Sequence, residues 1–141
     1  MEKAKKNLKI WSELYIILAI LDIVSLIGAY LAGQFDVSSI PKKLQTGVLI
    51  FVISVCIIMI LIKLLLGVQG LRQVNGTNKG TGHITLAKVT LIFLVLILIG
   101  SVVEVIKAVN TRTITDLSSN LFSFIVIFEY IKYAKYLKEN K

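Results

Sequence analysis

Four charged side chains lie inside long apolar runs of this 141-residue chain: Asp22, Lys63, Glu104 and Glu129. A charge in that setting either meets a partner or serves an ion or proton path, because at the centre of a hydrocarbon layer it costs roughly 2.5–3.5 kcal/mol on insertion scales. Glu104 has Lys107 three residues on, and Glu129 has Lys132. Residues three apart are neighbours on a helix, so local pairing and snorkelling towards water account for both. Asp22 and Lys63 have no such neighbour. Around Asp22 stand Leu18, Ala19, Ser25 and Leu26, and around Lys63 stand Met59, Ile60, Leu66 and Gly67.

Small residues share the faces of both. Ser25, Ala29 and Gly33 recur every four residues beside Asp22, while Gly67 and Gly70 follow Lys63. Such stripes let a second helix approach closely, so both charges are expected to face protein. Side chains lean towards the N-terminus of their own helix. On two antiparallel helices Asp22 and Lys63 therefore lean towards each other across a Cα offset of roughly 7 Å. The sequence predicts an intramembrane ion pair, Asp22–Lys63, with Glu129 as the rival partner.

Other chemistry finds no constellation. His83 and Cys56 are the single histidine and cysteine, so no paired metal-ligand spacing exists and neither a disulfide nor a Cys/His dyad within one motif is formed. The Gly-, Thr- and Asn-rich stretch from Gly70 to His83 lacks the Gly-Lys-Ser/Thr of a phosphate loop and reads as a turn between helices. Its Asn75-Gly76-Thr77 matches a glycosylation sequon that stays unmodified on the cytoplasmic side. No catalytic residue, metal or cofactor is expected.

These residues must be positioned by apolar helices. The chain is 56% hydrophobic, with mean hydropathy +0.84, far from an ordinary soluble domain. Four spans are expected in a single domain over residues 1–141, at about 10–33, 47–69, 84–108 and 117–137. Each approaches the ~20 residues that cross a bilayer core. The first contains eleven Leu, Ile or Val residues between Leu14 and Gly33, enough to offset Asp22. Its length and Asp22 argue against a cleaved signal peptide despite Lys3, Lys5, Lys6 and Lys9. The fourth is the shortest apolar run, Leu121 to Phe128, and crosses only with Glu129, Lys132 and Lys135 included. The expected fold is an all-α integral membrane bundle of four antiparallel helices.

The net charge of +8 sets orientation. Eleven basic residues fall on one side (Lys3, Lys5, Lys6, Lys9, Arg72, Lys79, Lys88, Lys132, Lys135, Lys138, Lys141) against Lys42, Lys43, Lys107 and Arg112 on the other. The positive-inside rule puts both termini in the cytoplasm of a bacterial cytoplasmic membrane. The same lysines attract anionic lipid headgroups at about 1 kcal/mol each. They form no stripe interleaved with aromatics, which argues against nucleic acid. Trp11, Tyr15, Tyr130, Tyr133 and Tyr136 are expected to form an inner interfacial belt. Asp36-Val37-Ser38-Ser39 and Asp116-Leu117-Ser118-Ser119 are expected to cap the second and fourth helices. Gly67 to Arg72, the turn and Leu86-Ala87-Lys88 together resemble hairpins of small bacterial membrane proteins without assigned activity.

Three function classes follow. The favoured one is a scaffold, accessory or regulatory subunit of a membrane complex, with a protein partner. The alternative is a homo-oligomeric channel or small transporter using Asp22, Lys63 and Glu129. An intramembrane enzyme is disfavoured.

Overall fold

The computed structural model describes residues 1–35, 37–78 and 80–140, and within them every regular element is an α-helix. Helices α1 (Glu2–Leu31), α2 (Lys42–Val74), α3 (Gly82–Lys107) and α4 (Thr111–Glu139) follow one another through short connections. All four are long and apolar enough to cross a membrane. They outrun the apolar spans read from the sequence because the flanking Lys, Glu and Gln residues are good helix formers. At 1.5 Å per residue α1 is about 45 Å long, half as long again as a hydrocarbon core of ~30 Å.

Two helix ends are set by glycine. Past α1, Gly33 takes φ +64°, its N–H donates to Tyr30 O, and Gln34 N–H donates to Ala29 O. Past α2, Gly76 takes φ +76°, with Gly76 N–H on Gln73 O and Thr77 N–H on Arg72 O. Both are Schellman ends, which a left-handed glycine completes. Gly33 thus lies beyond α1 and packs no helix, contrary to the stripe read from the sequence. The start of α4 also differs from expectation. Asn110 caps it, its side chain accepting from Thr113 N–H at 2.9 Å while its own N–H donates to Thr113 Oγ1 at 3.2 Å. Asp116-Leu117-Ser118-Ser119 therefore lies inside α4. Asp36 is outside the described residues, as are Lys79 and Lys141; α2 begins at Lys42 after Pro41.

Neighbouring helices run antiparallel: Ser12 lies against Gly70 and Ile16 against Gly67, while Ser101 on α3 meets Asn120 on α4. Two hairpins result, α1–α2 and α3–α4, joined chiefly through α1 and α4. The core sits towards the end that holds both termini and the α2–α3 turn. Leu8, Ser12, Leu66, Val126, Ile127 and Tyr130 are fully enclosed there. In the other half, the far half, Leu31, Phe51 and Ile106 expose more than three-fifths of their surface. Contiguous apolar exposure on this scale is what a lipid-facing surface presents, not one that faces water.

Candidate functional site: a polar seam inside the bundle

The tightest crossing is between α1 and α2. A Cβ built on Gly67 would stand 2.8 Å from the Ser12 carbonyl oxygen, and one on Gly70 would stand 2.1 Å from Ser12 Oγ and 2.7 Å from the Tyr130 ring. At Gly67 the obstacle is the α1 backbone and at Gly70 it is the Ser12 and Tyr130 side chains, so glycine at both lets the helices pack this closely. The close approach does not extend along the other stripe: Ser25 is exposed and Ala29 half-buried.

One turn further into the bundle, Lys63 Nζ donates to Asp22 Oδ2. The two side chains are 21% and 38% exposed, so the pair is neither enclosed nor free. Glu129 does not compete for Lys63. It pairs with Lys132 on its own helix at 3.3 Å. Glu104 and Lys107 form no such pair among the described residues; Glu104 instead borders a polar groove near the far end of α3 and α4.

Tyr15 and Tyr130 are core residues and not part of an interfacial belt. Their rings meet edge-on at 5.5 Å, and each is less than a twentieth exposed. Tyr130 Oη donates to Leu66 O at 2.8 Å, fastening α4 to α2. The Tyr15 hydroxyl is buried with no hydrogen-bond partner among the described residues. The belt expectation failed for these two because spacing of three along α4 fixes which residues share a side but not which side faces the neighbouring helices.

Sequence reasoning also missed a buried amide–imidazole network. His83 Nε2 and Gln73 Oε1 are 2.6 Å apart, while Asn78 Nδ2 lies 3.2 Å from His83 Nδ1. Gln73 Nε2 donates to Ala134 O at 2.7 Å, and Asn78 Oδ1 accepts from Gly80 N–H at 2.9 Å. Those outer bonds fix both amides, so Asn78 presents a donor and Gln73 an acceptor. The ring satisfies both only as the neutral tautomer with its proton on Nε2. The network ties the α2–α3 turn to α4. The stripe Lys63, Gly67, Gly70 continues after three more residues to Gln73, which is the signal that pointed to it.

In the far half each hairpin carries polar residues around a groove of its own. A small cavity of about 20 Å³ lies where all four helices converge, bordered by Tyr15, Lys63, Thr90 and Ser123 among others. Beyond it, the α1–α2 wall carries Asp22, Ser25 and Cys56 around a groove of about 360 Å³, sharing Met59 with the cavity. The α3–α4 wall carries Ser101, Glu104, Asp116, Ser119 and Asn120 around one of about 340 Å³. Asn120 Nδ2 donates to Ser101 Oγ at 2.6 Å, and Ser101 Oγ donates back to Ile97 O at 3.1 Å. Among the described residues no three His, Cys, Asp or Glu side chains gather as metal ligands do.

Comparison of the chain with protein families, with curated proteins and with solved structures finds no match.

Proposed function

We propose that the chain is a multi-pass protein of a bacterial cytoplasmic membrane, both termini cytoplasmic, that serves as a scaffold, accessory or regulatory subunit of a membrane complex and carries out no catalysis itself. One observation carries the reading: the large, fully enclosed side chains are gathered towards the half with the termini. There Tyr15, Tyr130, Leu8, Leu66 and Ile127 close the bundle completely, so one copy offers no path from end to end. The far half instead leaves long apolar helix faces and two polar walls unmatched within the chain. That division suits a subunit anchored by its inner core and engaged through its outer half. Basic residues at the inner end, Lys3, Lys5, Lys6, Lys132 and Lys135 among them, hold it against anionic headgroups.

The test combines two readouts. A photo-crosslinking side chain replaces Phe51 or Ile106 in the far half in the living host, and the purified protein is assayed for ion flux in liposomes. The proposal expects a discrete adduct with one other protein and no flux. The alternative, a homo-oligomeric channel or small transporter, draws on the Lys63–Asp22 pair at the floor of the polar grooves. Flux from the purified protein, with adducts only to further copies of itself, would establish that alternative and end the accessory reading.

A further inference from the structure

His83 is the single histidine of the chain, and it stands where the α2–α3 turn enters the bundle. The residue is buried, only 6% exposed. It nevertheless borders an open groove of about 300 Å³ with Gln69, Asn78 and Gly82, so protons from the surrounding water have access to it. Both ring nitrogens are engaged, Nε2 with Gln73 Oε1 at 2.6 Å and Nδ1 with Asn78 Nδ2 at 3.2 Å. The first bond survives protonation, because Nε2 carries a proton in either state. The second does not, because Nδ1 accepts only while the ring is neutral.

Asn78 has no second orientation that suits a protonated ring. Its Oδ1 accepts from Gly80 N–H at 2.9 Å, and its Nδ2 also donates to Gln69 Oε1 at 2.9 Å. Turning the amide over would set its NH2 against the Gly80 N–H, donor against donor. Leaving it in place sets the NH2 against a new Nδ1–H. Either way a bond that ties the turn to α2 or α3 is lost.

The surroundings disfavour a positive ring. His83 is the second residue of α3, at the end where the helix dipole is positive. From α4 come the Tyr130 ring, edge-on at 6.3 Å, and the Lys138 ammonium. From α2 come the neutral amides of Gln69 and Gln73. The nearest ionisable group on α3 itself is Lys88, five residues on, and Lys79 in the turn is outside the described residues. Among the described residues no carboxylate, from α1 or elsewhere, acts on the ring appreciably. Burial and the Lys138 ammonium hold its pKa below the ordinary histidine value. A group that binds its proton less well when folded weakens the fold as pH falls. The contact is therefore whole above about pH 6.5 and is lost on acidification below it.

We propose that His83 and Asn78 form a proton-operated catch on the α2–α3 turn, closed while the ring is neutral and released when Nδ1 takes a proton. Once released, the turn no longer holds the start of α3 to α2. Those two helices touch little elsewhere, so the hairpins gain freedom at the joint that links them. The inference rests neither on the accessory role nor on the direction in which the bundle crosses the membrane.

Nitrogen-15 NMR of the full chain in detergent micelles tests it, since one histidine gives one unambiguous ring signal. At about pH 7.5 the ring should be the neutral tautomer protonated on Nε2, and its titration midpoint should lie below about 6.5. As it titrates, backbone order parameters at Thr77, Asn78 and Gly80 should fall from about 0.85 to below about 0.6, while that of Tyr130 stays high. Asn78→Asp is the reversing variant. Its carboxylate keeps one oxygen for Gly80 N–H and offers the other to the protonated ring. The midpoint should then rise by roughly 1–3 units, and the turn should stay ordered at about pH 5. A midpoint at or above about 6.5 in the unmodified protein overturns the catch. Order parameters that hold steady while the ring titrates overturn it too, as does an Asn78→Asp protein that loosens at the same pH as the unmodified one.

Discussion

The α1–α2 crossing makes the sharpest prediction, because two glycines three residues apart should fail differently. In Gly67→Ala the new methyl meets the Ser12 carbonyl oxygen at 2.8 Å, Ile16 N at 3.3 Å and Ile16 Cγ1 at 2.6 Å. Ile16 can rotate; the backbone of α1 cannot, so the helices must separate. Overpacking of this kind costs about 1–3 kcal/mol, against a gain of about 1 kcal/mol from replacing glycine in a helix. The net expectation is about 0–2 kcal/mol of lost stability. In Gly70→Ala the obstacles are side chains, Ser12 Oγ at 2.1 Å and the Tyr130 ring at 2.7 Å. Moving them puts at risk the bonds from Ser12 Oγ to Leu8 O and from Tyr130 Oη to Leu66 O, each worth about 1 kcal/mol. Adding Ser12→Ala should therefore recover part of the loss in Gly70→Ala and none in Gly67→Ala. Gly28 and Gly100 have open space around them, and alanine at either should be neutral or stabilising. Reversible unfolding in mixed micelles, followed by the single tryptophan, Trp11, reads all of these. The reasoning fails if Gly67→Ala is as stable as Gly28→Ala, or if Ser12→Ala rescues both glycine variants equally.

Two further substitutions probe the terminal half, and one probes the far end. His83→Ala leaves Gln73 Oε1 without its donor in a buried site, while Asn78 Nδ2 keeps its bond to Gln69 Oε1, so a loss of about 1–3 kcal/mol is expected, with faster amide exchange at Thr77 and Asn78 as the local readout. Tyr130→Phe keeps the ring contacts with Tyr15 and removes only the bond to Leu66 O; unfolding should register about 0.5–1.5 kcal/mol. Asn110→Ala removes the capping box of α4 and should cost about 1 kcal/mol, with exchange increased only over the first turn, Thr111 to Ile114.

What was legible in the sequence followed from apolar run length and charge spacing. Four helices lie where four apolar runs lie, because lengths near those of membrane spans and few charges leave little alternative. Asp22 and Lys63 could be matched because lean and depth are properties of each helix alone. Helix ends were less legible. The Thr111-Arg112-Thr113 turn is polar and resembles a loop, yet the Asn110–Thr113 capping box starts α4 there. Faces were the least legible. Ser25, Ala29 and Gly33 form as good a small-residue stripe as Gly67 and Gly70, but where two helices cross depends on both partners. Only the second stripe meets a residue, Ser12, placed to take advantage of it. Tyr15 and Tyr130 show the same limit: an aromatic near a span end suits an interface and a core equally, and the neighbouring helix decides.

The central claim is that Lys63 and Asp22 form a latch joining α1 to α2. Unfolding free energies of Asp22→Asn, Lys63→Met and the double variant test it most directly. A pair whose side chains are 21% and 38% exposed should show a coupling of about 1 kcal/mol, since each single change strands a charge and the double change strands none. The double variant should then lose clearly less than the sum of the singles. Additive losses would mean that the two charges do not hold each other, and the latch would have to be given up.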